Sequence, residues 1–139
     1  VTSIGNSAVM SNNLTSISLP DKLTTLEDNA SANNQISSVK FDDALTSIGD
    51  WAFINNQLPG VTFNDGLKTI GAGAFQNNKF DTVALPDSLE HIGDWAFASN
   101  ADGSGIYVKT ITHTPEIVSP TGANYNHNAF NGDVVWPKP

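Results

Sequence analysis

The sequence repeats itself at a constant interval, and this period constrains the fold more than any other feature of the chain. Four units begin at a leucine, and one earlier unit fits the same frame: Val1, Leu23, Leu45, Leu67 and Leu89. Apolar residues also recur three positions later in each unit: Ile4, Leu26, Ile48, Ile70 and Ile92. A period of roughly 20 to 50 residues is the signature of a solenoid, in which each unit buries its apolar face against its neighbours.

A short strand is predicted in the second half of each unit. Residues 14–19 end in an alternation of apolar and polar residues, which is typical of a strand with Ile17 and Leu19 directed inward. The pattern recurs near residues 38–41, 60–63 and 82–85. Stacked side by side, these strands are expected to form a parallel sheet on the concave face.

The remainder of each unit is predicted to return to the start of the next strand. It contains Ile-Gly, then a turn, then a short helical piece such as residues 50–54. Asp50 or Asp94 is expected to cap that piece, because an aspartate side chain accepts hydrogen bonds from the free N–H groups at the start of a helix.

The units resemble the leucine-rich repeats of BspA-like bacterial surface proteins, whose pattern reads L-x-x-I-G-x-x-A-F-x-x-C-x-x-L-x-x-V-x-L-P. Residues 67–86, LKTIGAGAFQNNKFDTVALP, match it nearly position by position. The cysteine position is instead occupied by asparagine in every unit: Asn12, Asn34, Asn56, Asn78 and Asn100. The resemblance covers residues 1–100. It implies an α/β fold, a right-handed leucine-rich-repeat solenoid of about five units, with short helical turns on the convex side.

The pattern changes after Asn100. The next strand-like stretch, residues 108–111, is expected six residues later than the repeat frame places it, and residues 114–128 lose the pattern. We expect one domain over residues 1–139, with regular repeats to residue 100 and an irregular last unit and cap over residues 101–139, because a solenoid must cover its open apolar end. The N-terminus has no comparable cap, so we expect that the chain was cut from a longer protein.

Charge and composition narrow the classes of partner. The chain has six lysines, no arginine and 14 acidic residues, a net charge of −8. Binding to nucleic acid or to an anionic membrane surface is not expected, because both require clustered basic residues. No apolar run approaches the length of a spanning helix. There is no cysteine, and therefore no disulfide. We expect a monomer without a cofactor.

Two polar columns each have two interpretations. The asparagine column is expected to satisfy backbone groups at a tight internal turn, the alternative being a polar ladder for a ligand. The acidic column comprises Asp21, Asp43, Asp65 and Asp87. We expect each aspartate to accept a backbone N–H bond in an Asx turn. The alternative is a site for a divalent cation, which prefers several oxygen ligands.

Two surfaces are candidates for ligand binding. Trp51 and Trp95 hold the same position in alternate units, with Gly73 between them. The indoles would form a platform for a sugar ring or a peptide side chain, or they fold over Gly73 and fill the space that it leaves. The outward residues of the predicted sheet are small and polar. Their two interpretations are a surface that binds a protein or a glycan and a surface that has no partner. The candidates among them are Ser16, Ser18, Ser38, Lys40, Thr62 and Thr82.

Catalysis is not expected, because His91, His113 and His127 lie in different units without a serine or acid pair at a suitable spacing. His113 and His127 flank the irregular segment and leave a metal site there as a further alternative. The resemblance implies a cell-surface or cell-wall binding module, outside the cell, that mediates adhesion or protein–protein recognition. Its partner would be a host or neighbouring-cell protein or glycan. A structural spacer and a carbohydrate-binding module are the alternatives.

Overall fold

Parallel strands join successive coils of the chain into a solenoid. The structure is a computed structural model, and it describes residues 1–100, 107–109 and 116–118. In chain order, the strands of these residues are β1 Ser3–Ile4, β2 Ser16–Ile17, β3 Thr25–Leu26, β4 Ser38–Val39, β5 Ser47–Ile48, β6 Thr69–Ile70, β7 Thr82–Ala84, β8 His91–Gly93, β9 Tyr107–Lys109 and β10 Glu116–Val118.

The main sheet takes one strand from each of six coils, one coil more than the sequence analysis predicted. Its six parallel strands follow the order β1-β3-β5-β6-β8-β10. Ser3 pairs with Thr25, one repeat later, whereas His91 pairs with Glu116, which lies three positions beyond the next full repeat. This sheet is formed by the segment that was predicted only to return the chain, and the stack continues beyond the predicted end of the regular repeats.

The predicted sheet in the second half of each unit forms only in part. Strand β2 pairs with β4 and β7 pairs with β9, but residues 60–63 form no strand. Pro59 explains the gap. The N–H of Ser37 donates to the carbonyl oxygen of Thr15 at 3.0 Å, and Pro59 occupies the equivalent position one coil later. Proline has no N–H, so it cannot continue this ladder.

The C-terminal insertion is shorter than predicted. Val108 in β9 pairs with Val83 in β7, whereas a regular repeat would place the partner of Val83 at position 105. The strand therefore comes three residues late, not six, relative to the regular repeat. Apart from β9 and β10, the predicted cap over residues 101–139 lies outside the described residues, and so do His113 and His127.

The predicted helical pieces are absent from the described residues, which makes this part of the chain a β-solenoid and not an α/β one. Residues 50–53 form a turn, and Trp51 has a φ of 54°. That value is left-handed and incompatible with a right-handed helix. Asp50 does not cap a helix. Its Oδ1 accepts the N–H of Ala72 in the next coil at 2.8 Å.

Each of the first five coils turns through two left-handed corners four residues apart. The first corner has φ between 54° and 60° at Ser7, Asn29, Trp51, Gly73 and Trp95. The second has φ between 54° and 58° at Ser11, Asn33, Asn55, Asn77 and Ser99. These corners take the place of the helical turns that the resemblance implied.

The predicted apolar columns build the core. The rings of Phe53, Phe75 and Phe97 stack through three coils, with centroid distances of 5.6 Å and 5.3 Å and nearly parallel planes. Phe41 and Phe63 form a second stack, with centroids 5.8 Å apart. The leucine and isoleucine columns are buried beside them. In the first coil Ile4, Leu14 and Ile17 are only partly buried, whereas Leu19 belongs to the buried core.

Candidate functional site

A shallow groove follows the second strand column across the first three coils. One hollow, of about 420 Å³, lies between coils one and two, and a second, of about 520 Å³, lies between coils two and three. Both are lined by Val39 and Lys40, so they form one continuous surface. We call it the strand groove. It contains five of the predicted binding residues: Ser16, Ser18, Ser38, Lys40 and Thr62.

All five of these side chains are exposed, as the predicted strand alternation requires. The sixth predicted residue, Thr82, is also exposed but belongs to β7, beyond the interruption at Pro59. Gly60 lies between the two parts, and a Cβ added there would meet no atom within 4 Å. The structure therefore groups five of the six residues and leaves Thr82 outside the groove.

The strand groove has an acidic rim and one basic side chain among its lining residues. The Nζ of Lys40 lies 3.0 Å from the Oδ1 of Asp42. The hydrogen bond and the charge of Asp42 raise the pKa of Lys40 above its ordinary value, and the charges of Asp21 and Asp43 act in the same direction. The Lys40 side chain is 86% exposed, so this ion pair contributes little to stability. It fixes a positive charge within an otherwise negative rim.

The acidic column does not form the predicted Asx turns in the first three coils. The turns are closed by the backbone, as where the N–H of Leu23 donates to the carbonyl oxygen of Pro20 at 3.0 Å and that of Leu45 to Asp42 at 3.1 Å. The aspartates occupy the second position of these turns and are exposed. Among the described residues, no group of three or more acidic or histidine side chains is close enough to hold a metal ion.

From Asn34 onward the asparagine column is structural, which confirms the first of its two interpretations for these residues, whereas Asn12 in the first coil is exposed. The Oδ1 of Asn78 accepts the N–H of Leu58 at 3.0 Å, and its Nδ2 donates to the carbonyl oxygens of Phe53 and Phe75 at 2.9 and 3.1 Å. The same pattern recurs at the buried residues Asn34, Asn56 and Asn100. These amides are occupied by backbone groups and are not presented to a ligand.

Trp51 and Trp95 lie on a different surface, at the first left-handed corner of coils three and five. Their exposed fractions are 39% and 50%. The Trp51 indole lies against Gly73, because a Cβ on that glycine would be 2.5 Å from Trp51 Cδ1 and 3.1 Å from Gln76 Oε1. One ring therefore covers the glycine, as the structural interpretation predicted. We call the surface made by the two rings, Gly73 and Gln76 the aromatic corner.

The sequence analysis missed a row of exposed amides beside the aromatic corner. At the second left-handed corner, the Nδ2 of Asn55 donates to the Oδ1 of Asn33 at 2.6 Å, and the Nδ2 of Asn77 donates to the Oδ1 of Asn55 at 2.7 Å. Each of these residues directly precedes a buried asparagine, so the sequence reads Asn-Asn. The available signal was the recurrence, at one position of every unit, of serine and asparagine. Asparagine in particular tolerates a left-handed backbone.

The carboxylates beside the two tryptophans face the solenoid itself. The Oδ1 of Asp28 accepts the N–H of Asp50 at 2.8 Å, and the Oδ1 of Asp50 accepts that of Ala72 at 2.8 Å. Asp94 is only 3% exposed. The sequence analysis missed this role, in which an aspartate links one coil to the next.

Comparisons with known proteins agree with the repeat architecture. A family model described as the BspA type leucine rich repeat region matches residues 1–114 in six copies. This span extends beyond the predicted limit at residue 100, and the number of copies equals the number of strands in the main sheet. No curated protein and no solved structure matches the chain. In the part of the chain that the structure describes, no helix has the length and apolar character to cross a membrane.

Proposed function

Since the chain belongs to the BspA-type leucine-rich repeat family, we propose that it is a cell-surface module that binds a protein through the strand groove. The family supports an interaction or surface module as the general role. Adhesion to a host or neighbouring cell, and a location outside the cell at the surface or wall, are the specific form proposed here. The proposed role is binding by a single copy of the chain, without catalysis.

The observation that carries this proposal is the continuity of the strand groove over three coils. Ser16 and Ser38 are paired neighbours in β2 and β4, and Thr62 lies in the next coil. Coils stack at about 5 Å, the spacing of neighbouring strands, so Ser16 and Ser38 lie side by side. Gly60 holds the equivalent position in coil three, and Thr62 lies two residues further along that coil. Short side chains lose little conformational freedom when a partner orders them. A protein segment laid across the coils would meet Ser16 and Ser38 in turn and then Thr62, displaced to one side.

The charge of the groove favours a partner segment that carries lysine or arginine. Four aspartates line the groove against one lysine, and the whole chain carries a net charge of −8. Opposite charges on two surfaces speed their encounter and exclude partners of the wrong sign. We therefore propose a basic segment of a surface protein as the partner.

A displayed peptide library tests the proposal. Peptides are selected on the chain and counter-selected on Ser38→Trp, which places a large side chain in the middle of the groove without touching the core. The matched control is Thr46→Trp, since Thr46 is also an exposed residue but lies outside the groove. We expect the selected peptides to be rich in lysine or arginine, to bind Ser38→Trp at least tenfold more weakly, and to lose affinity as salt is raised.

The control variant is expected to bind these peptides as the parent chain does. Equal binding of the selected peptides to the parent chain and to Ser38→Trp would contradict the groove as the site. A library that yields no enriched peptide would favour the structural spacer.

A further inference from the structure

Trp51 and Trp95 adopt a backbone conformation that disfavours tryptophan. Their φ values are 54° and 56°, in the left-handed region. The equivalent corners of the other coils hold Ser7, Asn29 and Gly73. Glycine adopts this conformation freely and asparagine does so readily, whereas bulky residues are genuine outliers there. The chain therefore carries its largest side chain twice at a position where a small residue would fit the backbone better.

Burial accounts for only part of each ring. Trp51 and Trp95 are 39% and 50% exposed, whereas Phe53 and Phe97, two residues further along, are completely buried. Contact with Gly73 covers part of the Trp51 ring, but half of Trp95 remains in solvent. A bulky residue that combines a left-handed backbone with a partly exposed ring points towards a function.

An uncharged side chain that is able to form hydrogen bonds lies near the Trp51 ring. The Gln76 amide oxygen lies close to Gly73 and the Trp51 ring. The backbone N–H of Asn55 donates to the backbone carbonyl oxygen of Gln76 at 3.0 Å, so the second corner of coil three adjoins the main chain of Gln76 in the next coil. The ladder bonds of Asn55 and Asn77 each use one hydrogen of an Nδ2 group that has two. The second hydrogen of each Nδ2 group is not used by the ladder.

We propose that the aromatic corner binds a neutral oligosaccharide. Indole faces pack against the apolar C–H faces of sugar rings, and side-chain amides donate to and accept from sugar hydroxyl groups. The two tryptophans lie two coils apart, about 10 Å along the solenoid. Gly73 leaves the position between them without a side chain. This spacing suits a chain of several sugar units, with one unit against each ring.

The surroundings favour a glycan over a basic peptide at this surface. A lysine or arginine side chain would need an accessible carboxylate beside each ring. Beside Trp95 the carboxylate of Asp94 is buried, and beside Trp51 the Oδ1 of Asp50 already accepts a backbone N–H group, so a cation would meet a carboxylate with only one oxygen uncommitted there. This site is separate from the strand groove, so it is independent of the protein-binding role proposed above.

Affinity electrophoresis tests the proposal with three soluble neutral polysaccharides as probes: a β-glucan, a xylan and a mannan. The critical variant replaces both Trp51 and Trp95 by glycine, which suits the left-handed corner and so preserves the fold. Circular dichroism checks that the double variant is folded. The matched control is Ser38→Trp, which alters only the strand groove.

We expect at least one polysaccharide to retard the parent chain and the control equally, independently of salt. The double variant is expected to lose at least tenfold in affinity, and each single variant is expected to be intermediate. The proposal is overturned if none of the three polysaccharides retards the chain, or if the folded double variant is retarded like the parent. A chain that binds polylysine but none of the glycans would also overturn the proposal. If this binding disappears at raised salt and in the double variant, the ligand of the aromatic corner is a basic peptide.

Discussion

The buried asparagine of each coil shows how a single residue holds two coils together. The Asn78 amide bonds one N–H and two carbonyl oxygens that belong to coils three and four. The cysteine of the family pattern would offer one weak donor at this position, whereas asparagine offers two donors and an acceptor. The replacement of cysteine therefore adds hydrogen bonds at the internal turns of the buried residues Asn34, Asn56, Asn78 and Asn100.

We expect Asn78→Ala to lower the free energy of unfolding by about 3 kcal/mol or more, because each buried backbone group left without a partner costs about 1–3 kcal/mol. Urea unfolding followed by circular dichroism measures the loss. Asn77→Gly is the control, since it removes the exposed neighbouring amide and keeps the left-handed backbone. Its loss is expected to stay below about 1 kcal/mol. Similar losses in the two variants would contradict the structural role of the buried column.

A second prediction concerns the backbone strain at Trp95. Both Trp95→Gly and Trp95→Ala remove the ring, so the difference between them isolates the left-handed φ. We expect the glycine variant to be more stable by about 1 kcal/mol in urea unfolding, because only glycine adopts this φ without cost. At Lys79, which is exposed and outside the left-handed corners, we expect the opposite order. An alanine variant as stable as the glycine variant at Trp95 would show that the corner is not strained.

Among the elements, strand β6 of the main sheet ends so close to the corner of the preceding coil that glycine is required there. A Cβ on Gly71, directly after β6, would lie 2.5 Å from both the backbone nitrogen and the Oδ1 of Asp50. These atoms belong to the preceding coil and are held by their own hydrogen bonds. Gly60, in the interrupted part of the second strand column, has open space instead.

The difference between Gly71 and Gly60 predicts that replacement by alanine changes the stability in opposite directions at the two positions. Gly71→Ala is expected to destabilise the chain by about 3 kcal/mol, the upper end for inserting a methyl group into a closely packed site. Gly60→Ala is expected to stabilise it by about 0.5 kcal/mol, because alanine restricts the unfolded chain and fits the folded one. Thermal unfolding of both variants checks this, and a loss of stability in Gly60→Ala would contradict the open space.

The sequence predicts an element well where the signal recurs in many units and poorly where the element is short. The core columns, including the one through Phe75, were predicted because the same apolar residues return in each repeat. A two-residue strand such as Thr69–Ile70 contains one polar and one apolar residue, which is too little to show an alternation. The missing strand at residues 60–63 was foreseeable, because Pro59 cannot donate a ladder bond.

The candidate sites also differ in how much of their structure the sequence predicts. The outward direction of Ser38 and its neighbours follows from strand alternation and is confirmed by their exposure, whereas ligand binding by these residues stays a prediction. The left-handed corner at Trp51 was not, because tryptophan is the wrong residue for that backbone and concealed a pattern that Asn29 and Gly73 suggest. The inward direction of Asp50 depends on a hydrogen bond to the next coil, which local sequence does not reveal.

In the molecule as a whole, stability is expected to depend on how many neighbouring coils a residue touches. Phe75 lies in the middle of its stack, between Phe53 and Phe97. We expect Phe75→Ala to cost about 3–5 kcal/mol through the cavity that it leaves. Val9 is its counterpart in the first coil and is only partly buried, so Val9→Ala is expected to cost clearly less. Equal destabilisation of the two variants in urea would contradict this order of stacking.

The hydrogen bonds between coils join residues 19 to 25 apart in the sequence, so each coil bonds the coils immediately before and after it. As a consequence, a duplicated segment of one full repeat finds on both sides the contacts that its template already makes. Such a gene duplication lengthens the molecule by about 5 Å without any change to the existing interior. A copy of the first or second repeat also adds one more exposed serine at the position of Ser16 and Ser38, so that reach and the number of ligand contacts can increase together through recombination.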